Sequence, residues 1–329
     1  MAIVLNPIQL PASKMLSTMT SLIGDVRVHE TLAPSDIIND LVDSCRVGKV
    51  DFGKGIVNTF KVSLQPVKDL SETSTAFTIT KPNVAQETIV IDHYKFVPLS
   101  TAEVLSRDAG LNGDMISTFM SSVRALLADT VQFYLYDICL GLYLNWTPGQ
   151  ETQTITVSQT ATTGLSGADL EATKKLNATE IAKQIRKTLN NMKIKNSKFT
   201  DIATYIDANT GEQGNVVTCL NSKNMKIVFN DKFYTDFLAD AMASLYHAEK
   251  VGEMIPGDNF VLLPEDAMDT NNAKTICWLS HKDKFALADF YRVTLSILDP
   301  STQYLNSFEH FAYGSGVFKY LPGVKFVIA

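Results

Sequence analysis

An α+β chain built in several lobes is what the sequence predicts, on three observations. A long proline-free run between Pro98 and Pro148 carries apolar residues at helical spacing. Period-two strand patterns lie on either side of it. Further on, short apolar strands alternate with helical stretches. With 329 residues, 45% of them hydrophobic, the chain can bury a large core spread over two or three lobes.

Residues 1–50 read as an extended arm. Pro7 and Pro11 keep its start open, and Ser35 and Asp36 cap a short helix, Ile37–Cys45, with Ile37, Ile38, Leu41 and Val42 on one face. The arm has too few apolar residues for a core of its own. Residues 51–98 hold a strand, Ile56–Leu64, a second, Ile89–Val97, and a polar excursion between them in which Phe77 and Ile79 alternate with Thr78 and Thr80, ahead of Lys81. Two readings of the excursion are open: a loose surface loop, or a ribbon completed by another copy of the chain, since an isolated two-stranded ribbon is marginal in water.

Residues 99–198 contain the long helix, Asn112–Leu144, with Ile116, Met120, Val123, Leu127, Val131, Tyr134, Ile138 and Leu142 as its stripe. About thirty residues at 1.5 Å each give a spine of roughly 45 Å. A second apolar line (Met115, Phe119, Leu126, Phe133) makes the stripe too wide for a coiled-coil seam and favours packing on a sheet. A polar connector over 146–176 then leads to a second helix, Thr179–Met192. Residues 199–300 read as an α/β lobe: strands Phe199–Ile206, Met225–Phe229, Phe260–Leu263 and Thr275–Leu279, a helix Lys232–Tyr246, and a strand-like run Tyr291–Leu298. Residues 301–329 close the chain with Phe308–Tyr313, a hairpin turn at Gly314-Ser-Gly316, Val317–Tyr320, and a last strand Val324–Ile328.

No catalytic constellation emerges. None of the five histidines has the i, i+4 partner of a zinc helix, and Cys277 with His281 lacks the second Cys/His pair of a structural zinc site. Gly314-Ser315-Gly316 lacks the spacing of a nucleophile elbow. Asp207-Ala-Asn209-Thr-Gly211-Glu212 spaces oxygen ligands as calcium loops do, but its glycine comes one place early and the distal Glu is missing, so a plain turn is expected; Asp266, Asp269 and Asn271 share that weakness. No cofactor and no metal are expected.

The net charge of -6 argues against a protein whose main work is gripping nucleic acid. Basic residues concentrate only around Lys183, Arg186 and Lys187, either as a solvated helix face or as a lining toward packed DNA or a scaffolding partner. Cys45, Cys139, Cys219 and Cys277 are dispersed, as reduced thiols are. The first twenty residues lack a signal-peptide pattern, and Val131–Leu144 falls short of a membrane span. A soluble protein made in a cytoplasm, with no membrane contact, is expected.

The sequence of arm, two-stranded excursion, spine helix, α/β lobe and closing strands resembles the major capsid proteins of tailed bacteriophages, the Hong Kong 97 type fold, and in style the small podophage head proteins. The strand-then-helix at Lys226–Tyr246 and the closing stretch Asn306-Ser-Phe-Glu-His-Phe-Ala-Tyr-Gly-Ser-Gly-Val-Phe-Lys-Tyr320 carry the likeness. The resemblance implies an N-terminal arm, an extended E-loop, a peripheral domain with the spine helix and an axial α/β domain. It implies a non-enzymatic subunit whose hexamers and pentamers form an icosahedral shell around a dsDNA genome, in a virion assembled in the host cytoplasm. A portal is implied, and so is a separate scaffolding protein, because only about fifty residues precede Phe52. Packaged DNA would be touched loosely. On this reading Phe77, Ile79 and Lys81 of the E-loop meet a neighbouring subunit, and Lys183, Arg186 and Lys187 line the inner face. A bacterial compartment shell of the encapsulin kind is the alternative; an α/β enzyme is a more distant one.

Overall fold

Followed from Pro34, the chain first makes helix α1, Asp36–Cys45, whose Leu41, Val42 and Cys45 are buried. The computed structural model describes residues 34–49, 55–65, 67, 81–102, 113–234, 260–299, 301 and 304–329. Among them run β1 (Arg46–Lys49), β2 (Gly55–Lys61), β3 (Val84–Val90), β4 (His93–Ala102), α2 (Gly113–Leu144), β5 (Thr154–Val157) and α3 (Gly167–Lys193). They are followed by β6 (Thr204–Ile206), β7 (Gln213–Asn215), β8 (Met225–Asn230), β9 (Phe260–Leu263), β10 (Thr275–His281), β11 (Phe285–Asp299), β12 (Tyr304–Val317) and β13 (Gly323–Ile328).

Two compact units divide these elements. One takes in Asp92–Leu135 and Phe290–Tyr313; the other takes in Asp36–Ile91, Tyr136–Asp289 and Gly314–Ala329.

The first unit pairs β4 with β12 antiparallel, from Tyr304↔Ala102 to Tyr313↔His93. Side chains alternate between the faces of a strand. Ser307, Glu309, Phe311 and Tyr313 are buried, and Tyr134 of α2 packs edge-on against Phe311 and Tyr313, its hydroxyl 2.9 Å from that of Tyr313. The spine helix therefore packs on strands through Tyr134, while Leu126 of the second apolar line is exposed. Arg292 of β11 donates to Glu309 at 2.7 Å, Thr294 also donates to Glu309, and Ser296 meets Ser307 at 3.0 Å, all on this covered face. The sequence reading ends the strand before Pro98. The structure carries β4 through it, because β4 is an edge strand in the order β1-β11-β12-β4, where a missing N–H costs no ladder bond.

The second unit centres on a five-stranded sheet in the order β5-β13-β10-β8-β9. β8 and nearly all of β10 are buried. Ile181, Ile185, Leu189 and Met192 of α3 join Ile227, Phe229, Cys277, Leu279, Val324 and Phe326 in one core. The other face of this sheet meets α1 and the end of α2, where Tyr143 packs on Trp278 and Phe285.

The structure corrects several sequence expectations. α3 begins at Gly167, inside what reads as a polar connector. The buried line of α2 is Leu127, Val131, Leu135, Cys139 and Tyr143 rather than the line ending in Ile138 and Leu142. By length and composition Arg124–Leu144 is long enough and apolar enough to cross a membrane, more than the sequence reading allowed; Leu127, Val131, Leu135, Cys139 and Tyr143 on it are buried. Ile89–Val97 is two strands, β3 and β4, in different sheets. Gly314-Ser-Gly316 lies inside β12 and is no hairpin turn. The strand read over Phe199–Ile206 shrinks to Thr204–Ile206. The helix read from Lys232 is described only at its first turn, Asp231–Phe233; residues 235–246 lie outside the described residues.

Candidate functional site

β2 and β3 form an antiparallel ribbon, from Gly55↔Val90 to Lys61↔Val84. One face turns to the body of the second unit. There Ile89 is buried, and the Phe60 ring lies 5.8 Å from both Phe318 and Tyr320. Glu87 accepts from the backbone N–H groups of Lys319 at 3.1 Å and Tyr320 at 3.4 Å. Burial pushes its carboxyl up from the usual range, and those two donors, with Lys284 nearby, pull the other way.

Gly314 explains how the ribbon lies so close. A Cβ at that position would sit 2.2 Å from the Val90 carbonyl oxygen, whereas at Gly316 the nearest atom, Ile89 Cγ1, would be 3.3 Å away. The glycine that reads as a turn residue is there to admit a second backbone.

The stems of the excursion are tied down as well. Val217 N–H donates to the Val62 carbonyl at 2.8 Å. Asn83, 7% exposed, donates to Ser63 Oγ at 3.0 Å and to Asp207 Oδ2 at 2.8 Å, and its Oδ1 accepts from Ala208 N–H at 2.7 Å. Asn209 clasps the backbone of Lys81 on both sides, accepting from its N–H at 2.6 Å and donating to its carbonyl at 3.0 Å. The loop that spaces its oxygens like a calcium site is this clamp. Asp207 Oδ1 accepts from Asn209 N–H at 2.7 Å and Thr210 N–H at 3.0 Å, and Gly211 closes the β6–β7 turn at φ +74°. Those bonds, led by Asn209 N–H and then Asn83, hold the Asp207 carboxyl below its ordinary value. The reading that another copy completes the ribbon is thus narrowed: one face and both stems are satisfied within the subunit.

The opposite ribbon face stays open. Val57, Val84 and Val90 are at least half exposed. In the first unit, the sheet face turned away from Tyr134 carries exposed Phe96, Val293, Leu295, Ile297 and Tyr304. Phe96 stacks on His310 at 5.7 Å, which fixes that side of the strands. An apolar area of this kind marks an interaction surface more often than chance exposure.

Of the residues singled out from sequence, Phe77 and Ile79 lie outside the described residues. Lys81 is exposed and is held through its backbone. Lys183, Arg186 and Lys187 are all exposed on α3, opposite its buried line, and Lys183 pairs with Glu180 at 3.4 Å. Among the described residues no three His, Cys, Asp or Glu side chains gather as a metal site. A cleft of about 440 Å³ beside the end of α2 is lined by Ile138, Leu142, Trp146 and Val317, with Asp137 and Ser315; no histidine or cysteine lines it to partner either.

The model of the family described as Phi29-like phage major capsid protein matches residues 27–327. No curated protein sequence matches. Among solved structures, the capsid of Staphylococcus phage Andhra is similar at a TM-score of 0.63 and 9% identity, over 93% of this chain and 88% of that one. The capsid of Cyanophage P-SCSP1u gives 0.58 and 12%, over 94% of each chain. The acid-stable capsid of Helicobacter pylori bacteriophage KHP30 gives 0.54 and 11%, over 100% and 99%. At such low identity the shared property is the fold, the α+β architecture of the Hong Kong 97 type. Neither a compartment shell nor an enzyme is favoured by these matches.

Proposed function

The chain belongs to the Phi29-like phage major capsid protein family, and from that premise we propose how one subunit is completed by its neighbours. It is a structural capsid protein that self-assembles into a shell, and its place is the virion capsid. The open apolar faces of the ribbon and of the β4–β12 sheet are covered by sister copies. The excursion is an E-loop that brings Phe77, Ile79 and Lys81 onto an adjacent subunit. Many such contacts, each modest, add up around a closed symmetry of hexamers and pentamers, giving an icosahedral container for dsDNA.

The observation that carries this reading is the uncovered side of a ribbon, with Val57, Val84 and Val90 set among Thr59, Lys61, Gln86 and Thr88, whose other side and stems are fixed. A flexible loop would not hold Val57, Val84 and Val90 outward in a set register. Along the chain the parts are an arm (1–50), strand and E-loop (51–98), a peripheral domain (99–198), an axial domain (199–300) and a closing segment (301–329), with α3 and β13 sharing the core of the axial strands. The α3 face with Lys183, Arg186 and Lys187 is the lining side; the net charge of -6 keeps contact with packaged DNA loose. Assembly takes place in the host cytoplasm on a separate scaffolding protein and a portal, and the subunit works without catalysis.

The test is deletion of Ser71–Thr80, with Phe77→Asp beside it. Both variants should give folded, soluble subunits that form no particles in negative-stain microscopy. Normal particles from the deletion would overturn the role assigned to the loop.

A further inference from the structure

One apolar cleft of the second unit is used by none of the contacts assigned so far. It lies between the end of α2 and β12 and holds about 440 Å³. Its apolar wall is Ile138, Leu142, Trp146 and Val317, with the exposed carboxylate of Asp137 beside them. That volume is within the ~300–1,000 Å³ at which pockets hold a ligand. Gly314 and Gly316 turn to the ribbon, so Val317 stands on the other face of β12. Ile138 and Leu142 belong to the apolar stripe legible in the sequence, yet the core of the subunit takes the line of Leu135, Cys139 and Tyr143 instead.

Gly141 keeps the cleft open. A glycine inside a helix weakens it, and no close packing explains this one: a Cβ would meet only Asn145 Nδ2, at 3.7 Å. What a side chain would occupy there is the cleft that Gly141 lines. The same unit carries a segment that fits it. The ribbon stem is fixed as far as Ser63, because Val217 N–H donates to the Val62 carbonyl at 2.8 Å and Asn83 donates to Ser63 Oγ at 3.0 Å. Directly beyond, Leu64 is 66% and Val67 98% exposed, the latter more than any other large apolar side chain among the described residues. Lys68 follows in sequence. A cation beside an aliphatic pair thus answers a carboxylate beside an aliphatic wall. At that exposure Val67 is not held by the cleft of its own subunit.

We infer, on the reading that sister copies complete the subunit, that the cleft of one subunit receives Leu64 and Val67 of a second copy, with Lys68 brought to Asp137. Stem and cleft are different patches, so the contact is head-to-tail. Each copy gives its stem to one neighbour and its cleft to the other, and a rotation that closes makes a ring. Removing the aliphatic pair from water supplies most of the attraction. The Lys68–Asp137 pair at the rim adds little to it and sets the register. The excursion beyond Lys68, with Phe77 and Ile79, keeps the contacts already assigned to it.

Gly141→Leu tests this in the full chain, because it fills the cleft while favouring the helix, leucine being much the better helix former. The unassembled variant should keep or raise its urea midpoint, yet need a subunit concentration ~tenfold higher or more to form particles. Val67→Asp, at an exposed position of the stem, should likewise leave the fold intact and impair particles. The contact itself is read by placing a photoreactive benzoylphenylalanine at position 67, mixing these subunits with heavy-isotope copies at assembling concentration, and mapping the crosslinks. Light–heavy crosslinks from position 67 to the stretch 137–146 or to 315–317 are expected. Normal particles from Gly141→Leu, crosslinks from position 67 to another surface, or crosslinks to the cleft from position 79 in its place would overturn the assignment. Loss of particles on deleting Ser71–Thr80 alongside normal particles from Gly141→Leu would leave the loop reading standing and this one failed. Normal particles from the deletion, with position 67 still crosslinked to the cleft, would do the reverse.

Discussion

Gly314→Ala isolates the seating of the ribbon from its outward contacts. The added methyl would lie 2.2 Å from the Val90 carbonyl oxygen, against ~3.3 Å for a close C···O contact, so β3 must lift by about 1 Å. Lifting it weakens the Phe60 contacts with Phe318 and Tyr320 and stretches the bonds from Lys319 and Tyr320 N–H to Glu87. Overpacking of this kind costs about 1–3 kcal/mol. If the ribbon opens locally, that corresponds to a roughly five- to 150-fold loss of hydrogen-exchange protection. The loss should fall on the Val84–Val90 amides and leave β8 and β10 unchanged. Gly316→Ala is the matched control, because its Cβ would meet only the Ile89 side chain at 3.3 Å. Equal protection of Val84–Val90 in wild type and Gly314→Ala would refute the argument that this glycine exists to admit the ribbon.

Two further outcomes are expected in the second unit. Lys284, 0% exposed, donates to Asp201 Oδ2 at 3.0 Å and to the Leu321 carbonyl at 2.8 Å, and lies 5.0 Å from the centre of the Trp146 ring; Lys284→Met leaves the Asp201 carboxylate without its cation and should cost about 3–5 kcal/mol, read from the urea midpoint of the unassembled subunit, with a change under about 1 kcal/mol counting against it. The Asp207 clamp should fail in acid: its folded value lies below the unfolded 3.8, so its contribution is complete above that pH and is lost as pH falls through the folded value. Exchange at Lys81 and Ala208 should therefore rise selectively below pH ~4, and an Asn83→Ala variant should show the same loosening at neutral pH.

The legible parts of the sequence were those in which one pattern had one cause. α1, β8, β9 and β13 each bury a compact apolar set, and their positions follow from it. The first turns of α3 were illegible by periodicity because Asp169–Leu176 buries nothing; that segment is helical by the propensity of its Ala, Leu, Glu and Lys residues and is stabilised by the buried turns from Asn177 to Met192 that continue the same helix. β3 and β4 read as one strand because Asp92 is a lone turn residue between the apolar runs Ile89–Ile91 and Tyr94–Val97, with no glycine or proline beside it, although the chain changes sheets there. Gly314 and Asn83 were hidden for a different reason. Their work is with residues far away in sequence, Val90 and Asp207, and a glycine or asparagine in a polar stretch looks the same whether it makes a turn or receives another strand.

This distinction changes what the ribbon is for. A loop ordered only on a neighbour would lose much of each contact to its own ordering, at about 1–2 kcal/mol per residue of backbone. Here the stems are fixed by Asn83, Asp207 and Asn209, and the inner face is fixed by Phe318, Tyr320 and the space over Gly314. That ordering is complete before subunits meet, so Val57, Val84 and Val90 are presented in register and association keeps more of its binding free energy. Weakening the clamp should therefore impair assembly even though the clamp bonds lie within one chain. By the same reasoning, a subunit whose clamp is broken should assemble again when the subunit concentration is raised, whereas one lacking Ser71–Thr80 should not.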